Sequence, residues 1–342
     1  MIMYTFEVID KDRVDLEEFN HFKDKLIFTT VEWLKYIAQN QKVQPLILRI
    51  TEGPELVGYF TGFSFTRFGI RIVASPFDGW TTSYMGFDVR EGYRREDLIR
   101  PLSLFLYKNL KCHFIQITDR FIREEPLKAQ GINYFMKTTL ELSIDKPDEE
   151  LLRGYTKSCR ETLRQFERRG ATIEIAEPDE QFAEEYYHQL QDVFAKQELV
   201  PTYDVSRTLD LFRNVKGENL LCLRVRNPEG LSIATFYSLG YNGRVCFQGA
   251  ASLRAYQNYR PNETMFWYTI RYFRDRGYHS ADLNGERDYK QKFNPERISY
   301  PCIILTRYPI LIKLREWAKE LVWLKFRIKG AIKSAVKRRG RP

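Results

Sequence analysis

The sequence predicts an α/β (α+β) protein made of two similar tandem domains and a basic amphipathic helix after them. Three observations carry this. At 342 residues the chain suits two domains of ordinary size. A helix–strand–turn–strand pattern occurs once in each half, which points to duplication of one α/β unit. The charge sits at one end: 307–342 holds twelve Lys and Arg against two Glu, or +10 of a whole-chain +9, leaving 1–306 near −1. The basic balance therefore belongs to an appendage and not to the body.

Composition narrows the class. Hydrophobic residues make up 43% and aromatic residues 15%, with 21 Tyr and 24 Phe, enough for two cores rich in packed strands. No apolar run approaches the roughly 20 residues that cross a bilayer. The opening "MIMYTFEVIDKD" lacks the basic and apolar regions of a leader, so a cytoplasmic protein is expected. Cys112, Cys159, Cys222, Cys246 and Cys302 form no close pair, and His21, His113, His188 and His279 show no ligand spacing. No metal chemistry is expected.

The elements follow in order. In 31–63, Trp33, Leu34 and Ile37 mark a helix, Leu46–Ile50 a strand, Glu52-Gly53-Pro54 a turn, and a second strand starts at Leu56. The order returns in 211–240: a helix end, strand Leu221–Val225, turn Asn227-Pro228-Glu229-Gly230, and strand Leu231–Leu239. Between the halves, 146–170 reads as one helix, started by Pro147 and Asp148 and stopped by Gly170. Lys157, Arg160, Arg164 and Arg168 fall on one face of it, either a solvated charged face or a rail for a phosphate-rich substrate. Further on, "RVCFQGAAS" (244–252) is a strand, and 260–277 a helix with Pro261 at its first position and Phe266, Ile270 and Phe273 inward. A short strand "YHSADL" leads into "DLNGERDYKQKF" (282–293), where Asn284-Gly285 marks a turn. The expected boundaries are 1–145, a linking helix 146–170, a second domain 171–306, and the tail 307–342.

Gly249-Ala250, Pro261-Asn262, Gly277-Tyr278, Asp282, Gly285-Glu286, Tyr289-Lys290 and Phe293, taken with "TKSCRETLRQFERRG" and "FTTVEWLKYI", give the chain its family likeness. It resembles the GNAT-fold N-acyltransferases of bacterial polysaccharide synthesis, a superfamily shared with the Fem-type peptidoglycan aminoacyltransferases. The resemblance spans nearly the whole chain. It implies two tandem GNAT-like domains, each a mixed, bent sheet flanked by helices, with the active site in the second. It also implies transfer of an acyl group, from acyl-CoA such as acetyl-CoA, to an amine of a sugar nucleotide or lipid-linked glycan. Under the Fem-type alternative the donor is aminoacyl-tRNA and the acceptor a peptidoglycan precursor. A non-catalytic glycan- or membrane-binding protein of the same fold is the alternative of another class. One departure stands out: "RAYQNYRPNE" (254–263) lacks both glycines of the usual GNAT phosphate loop.

Acyl transfer needs a neutral amine, a polarised carbonyl and a stabilised leaving group. Glu286 is the candidate general base, or a solvated turn acid. Lys290 is the candidate for stabilising an oxyanion or donor phosphate, as the resemblance implies, or a lysine facing water. Tyr289 either protonates the leaving group or packs under the loop. Asp282 is expected to hold the loop through backbone N–H groups. Asn262 orients substrate or caps its helix, and Gln248 is a candidate substrate contact. In the tail, Ile310, Leu314, Trp317, Leu321, Leu324 and Ile328 recur at helical spacing, so the segment either docks on the body or meets an anionic membrane. The same charges would suit a transfer RNA donor.

Overall fold

The computed structural model describes residues 3–196, 199–317 and 320. The chain forms two compact units: Met1–Thr139 with Arg297–Ile312, and Leu140–Glu296 with the described residues from Lys313 on.

In chain order, the first unit holds β1 (Tyr4–Ile9), α1 (Leu16–Asn20), α2 (Val31–Gln41), β2 (Gln44–Glu52), β3 (Glu55–Arg67), β4 (Ile70–Ser75), β5 (Gly86–Val89), α3 (Arg95–Asn109), β6 (Phe114–Thr118), α4 (Glu124–Ala129) and the first half of β7 (Tyr134–Ser143). Helix α2 starts where Thr30 accepts a hydrogen bond from the Trp33 amide and ends at Lys42, whose φ of 54° is left-handed. Its Trp33, Leu34 and Ile37 are buried, as their spacing predicts. The strands β1 to β4 pair antiparallel in sequence order, and β4 then pairs parallel with β6. Strand β5, paired with β3, carries Asp88 of a buried ion pair, Lys25 Nζ to Asp88 Oδ2 at 2.9 Å, supported by Thr29 Oγ1 at 3.2 Å from Asp88.

The second unit holds the end of β7, then α5 (Asp148–Gly154), α6 (Lys157–Arg168), β8 (Thr172–Ile175), α7 (Glu180–Ala195), α8 (Ser206–Asn214), β9 (Leu220–Arg226), β10 (Ser232–Tyr241), β11 (Arg244–Ser252), α9 (Pro261–Arg274) and β12 (Ser280–Asp282). Its sheet repeats the first: β8 to β11 pair antiparallel in order, β11 pairs parallel with β12, and β12 pairs antiparallel with β7. The repeated pattern read in the sequence is α2–β2–β3 in one unit and α8–β9–β10 in the other.

Three expectations are corrected. The segment 146–170 is two helices: Thr156 takes an extended conformation (φ −59°, ψ 153°) and its hydroxyl caps α6 by accepting from the Cys159 amide at 3.3 Å. It is also no linker, because Leu151, Tyr155, Cys159, Leu163 and Phe166 are part of the second core. Last, the second domain is expected to run to 306, but β13 (Glu296–Thr306) belongs from Arg297 on to the first unit. There it pairs antiparallel with β6, Cys302 opposite Thr118 and Thr306 opposite Phe114, and the Ile304 amide donates to the Asn133 carbonyl at 2.9 Å. Of the predicted tail helix, 310–317 is helical; 318–319 and 321–342 lie outside the described residues.

Candidate active site

The parallel pairing differs between the two units. In the first unit the parallel pairing of β4 with β6 runs to Ser75, the last residue of β4. In the second, β11 pairs with β12 only over Arg244–Cys246, and β12 ends at Asp282. Strand β11 continues to Ser252, held by β10 on one side, while its other edge from Phe247 onward has no partner strand among the described residues. An open edge of this kind presents N–H and C=O groups to an extended ligand.

A β-bulge lies at the start of that edge. Gly249 stands opposite Tyr237 and Phe247 opposite Ser238, so Gln248 is the extra residue. Gln248 is half-buried, and its amide contacts Cys246 Sγ at 3.7 Å. The neighbouring Gly249 is required by the Tyr237 ring: a Cβ there would stand 2.1 Å from Tyr237 Cε1. Tyr237 in turn meets Tyr186 of α7 edge-on at 5.0 Å, and the Tyr186 hydroxyl lies 3.1 Å from that of Tyr203. Burial, then the neighbouring phenols, push the Tyr186 pKa well above its ordinary value. The bulge and the tyrosine chain escaped the sequence reading, since both arise from pairing between distant segments.

Beyond β12 the chain makes the expected turn. Asn284 and Gly285 have φ of 58° and 83°, and Asp282 accepts from the Asn284 amide at 2.7 Å, the loop-holding role predicted for it. Lys290 does not face water. It is 7% exposed, and its ammonium donates to the carbonyls of Leu283, Asn284 and Gly285 at 2.5, 2.8 and 3.2 Å. Burial lowers its pKa to about 8. Tyr289 is 58% exposed and therefore is not packed beneath the loop, whereas Phe293 is buried and stacks on Phe266 of α9 at 3.7 Å. Glu286 is exposed on the same loop.

The remaining predicted residues are placed as follows. Asn262 is exposed at the second position of α9; the cap is Arg260, so Asn262 does not cap the helix. Arg160 spends its guanidinium on the carbonyls of Leu152 and Tyr155, closing the end of α5. Lys157 has an 85% exposed side chain and lies 4.0 Å from Glu161, and Arg164 and Arg168 are exposed. The stripe is thus solvated, with Arg160 drawn inward. Gln248, Asp282, Glu286, Tyr289 and Lys290 all lie on β11, β12 and the loop after β12.

Whether acyl-CoA fits depends on two places. The open β11 edge suits an acyl arm. At 254–260, three amides are not available to its diphosphate: that of Arg254 donates to Asp192 Oδ2 at 2.7 Å, and those of Tyr256 and Arg260 to local carbonyls at 3.1 and 3.0 Å. Pro261 has no amide hydrogen. Among the described residues no group of three or more His, Cys, Asp and Glu is placed to hold a metal.

Comparison with known proteins fixes the class. Residues 153–291 match the acetyltransferase (GNAT) domain family, so this part of the chain is a GNAT domain and the protein a transferase. The fold is shared with FemX, at 13% identity and a TM-score of 0.69, over 87% of this chain and 96% of that one. It is shared also with a tandem GNAT protein from the clavulanic acid biosynthesis pathway, at 11% identity, TM-score 0.51, and 90% and 99% coverage of the two chains. A third similar structure is the C-terminal domain of a putative lysylphosphatidylglycerol synthetase from Agrobacterium fabrum, at 12% identity, TM-score 0.52, and 77% and 85% coverage. No curated protein matches the chain in sequence. The fold is that of the tandem GNAT proteins, and the family match to residues 153–291 is to acyl transfer.

Proposed function

We propose that the protein is an N-acyltransferase that acylates an amine of a sugar-nucleotide or lipid-linked glycan precursor in cell-envelope or exopolysaccharide synthesis, with acyl-CoA as donor. The observation that supports it is the open edge of β11 beside the bulge at Gln248, found in the second unit only. In this reading the edge amides hold the acyl carbonyl, where their N–H groups favour charge developing on its oxygen. Glu286 takes the proton from the acceptor amine, directly or through water, as nitrogen bonds to the carbonyl carbon and the donor's sulfur leaves. Tyr289, exposed on the same loop, returns a proton to the leaving group. Lys290 serves by position: its three carbonyl contacts fix the loop that carries Glu286. Gln248 and Asn262 contact the acceptor, and Lys157 and Arg164 attract its phosphates.

A specific observation favours a second reading. The amides of Arg254, Tyr256 and Arg260 are already occupied, and this leaves fewer donors for the diphosphate contact that an acyl-CoA donor would use. A Fem-type aminoacyl-tRNA donor, with a peptidoglycan precursor as acceptor, does not require that contact. Thermal stabilisation by acetyl-CoA and not by charged tRNA is the expected result; stabilisation by tRNA alone would replace the first reading with the second. With the productive pair in hand, Glu286→Gln should lose at least a hundredfold in transfer rate while melting normally, and full activity in that variant would remove Glu286 from the role of base.

A further inference from the structure

The helical residues 310–317 are apolar on two sides. Leu311 and Ile312 pack against Ile72, Ala74, Phe114, Cys302 and Ile304. Away from that contact, Ile310 is 58% exposed, Leu314 44% and Trp317 68%. A helix docked by one face normally turns a polar face to water. Here the exposed positions recur at four and then three residues, forming a stripe, and Tyr308 beside them is 51% exposed. In sequence the spacing continues through Leu321, Leu324 and Ile328, and the residues from Lys313 to Arg341 include eleven Lys and Arg against two Glu.

We infer that this stripe is a docking surface for an anionic lipid bilayer, bound peripherally. An apolar stripe ending in Trp, continued by a strongly basic segment, fits the headgroup boundary: the rings and aliphatic groups enter, and the basic side chains meet lipid phosphates. Among the described residues no helix is long and apolar enough to cross a membrane, which is compatible with lying on one. The stripe itself decides between partners. A nucleic acid would engage the charges and leave Ile310, Leu314 and Trp317 in water. A second copy of the chain would bring two +10 segments together against their repulsion. The inference does not depend on which acyl donor is used. It places the protein beside acceptors carried on lipid.

Sedimentation of the full chain with phosphatidylcholine vesicles, with and without phosphatidylglycerol, tests this. Binding is expected only when phosphatidylglycerol is present, and it should weaken as salt rises. Leu314→Glu with Trp317→Glu should weaken binding at least tenfold; both side chains are exposed, so unchanged thermal melting will show that the fold is intact. Lys325, Lys329, Lys333 and Lys337→Gln together should lose about fivefold per lysine held at the surface. Equal sedimentation with neutral and anionic vesicles would overturn the inference. So would wild-type binding by both variants, or tight transfer-RNA binding in a gel shift with no vesicle binding.

Discussion

Replacing Lys290 by Met tests whether this lysine holds the loop or acts on the reacting atoms. Its ammonium donates to three successive carbonyls, those of Leu283, Asn284 and Gly285. Hydrogen bonds from a charged donor contribute about 1.5–3 kcal/mol each, and a buried carbonyl left without a donor costs about 1–3 kcal/mol. Against this loss, Met avoids the several kcal/mol needed to desolvate an ammonium, a cost visible in the pKa of about 8. The balance is a net loss of about 2–4 kcal/mol, confined to the second unit. For a unit of its size this lowers the melting temperature by roughly 5–12 °C. Thermal melting followed by tryptophan fluorescence, with hydrogen exchange over 283–290, reads both effects. The Asn284 and Gly285 amides should lose protection, because a left-handed pair without its cation returns to an ensemble. A variant that keeps wild-type melting and loop protection but loses transfer would refute the reasoning and move Lys290 into the chemistry.

Two further outcomes concern the first unit. Asp119 is fully buried, and desolvation raises its pKa from 3.8 to about 6 despite Arg95 and the amides of Phe87 and Phe121. A carboxyl whose folded pKa lies above its unfolded one contributes most below pH 4 and loses that contribution as pH rises through 6. Urea unfolding should therefore show the wild type losing roughly 3 kcal/mol relative to Asp119→Asn between about pH 3 and about pH 7; a flat difference would mean the carboxyl is not held neutral by burial. Asp88→Ala leaves the Lys25 ammonium buried without its counter-charge, and the first unit should lose about 3–5 kcal/mol. Calorimetry that finds less than 1 kcal/mol would show that water reaches Lys25.

What the sequence disclosed followed from short-range rules. Pro261 at the first position of α9, the inward stripe Phe266, Ile270 and Phe273, and the strand Arg244–Ser252 all appear where the pattern put them. Likewise the Asn284-Gly285 turn and the Asp282 contact follow from local chemistry. Long-range pairing stayed hidden. The bulge at Gln248 exists only relative to β10, and nothing local distinguishes that residue from its neighbours. Tyr186 and Tyr237 meet across α7 and β10, fifty residues of chain that carry no periodic mark of the contact. The resemblance marks Lys290 for an oxyanion or donor-phosphate contact, but nothing local in the sequence shows its burial against the carbonyls of Leu283, Asn284 and Gly285. Arg160 looked like part of a basic face until the break at Thr156 gave it two carbonyls to close.

The position of β13 has a consequence for how the chain is made. Residues 140–296 are inserted between the first half of β7 and the strand that pairs with β6 of the first unit. During synthesis β8 to β12 are therefore made before the ribosome has supplied the partner of Phe114–Thr118. Until then β6 lacks that neighbour, an exposed-edge state prone to pairing with other chains. A fragment cut near residue 145 would carry this vacancy permanently and should aggregate more readily than the full chain.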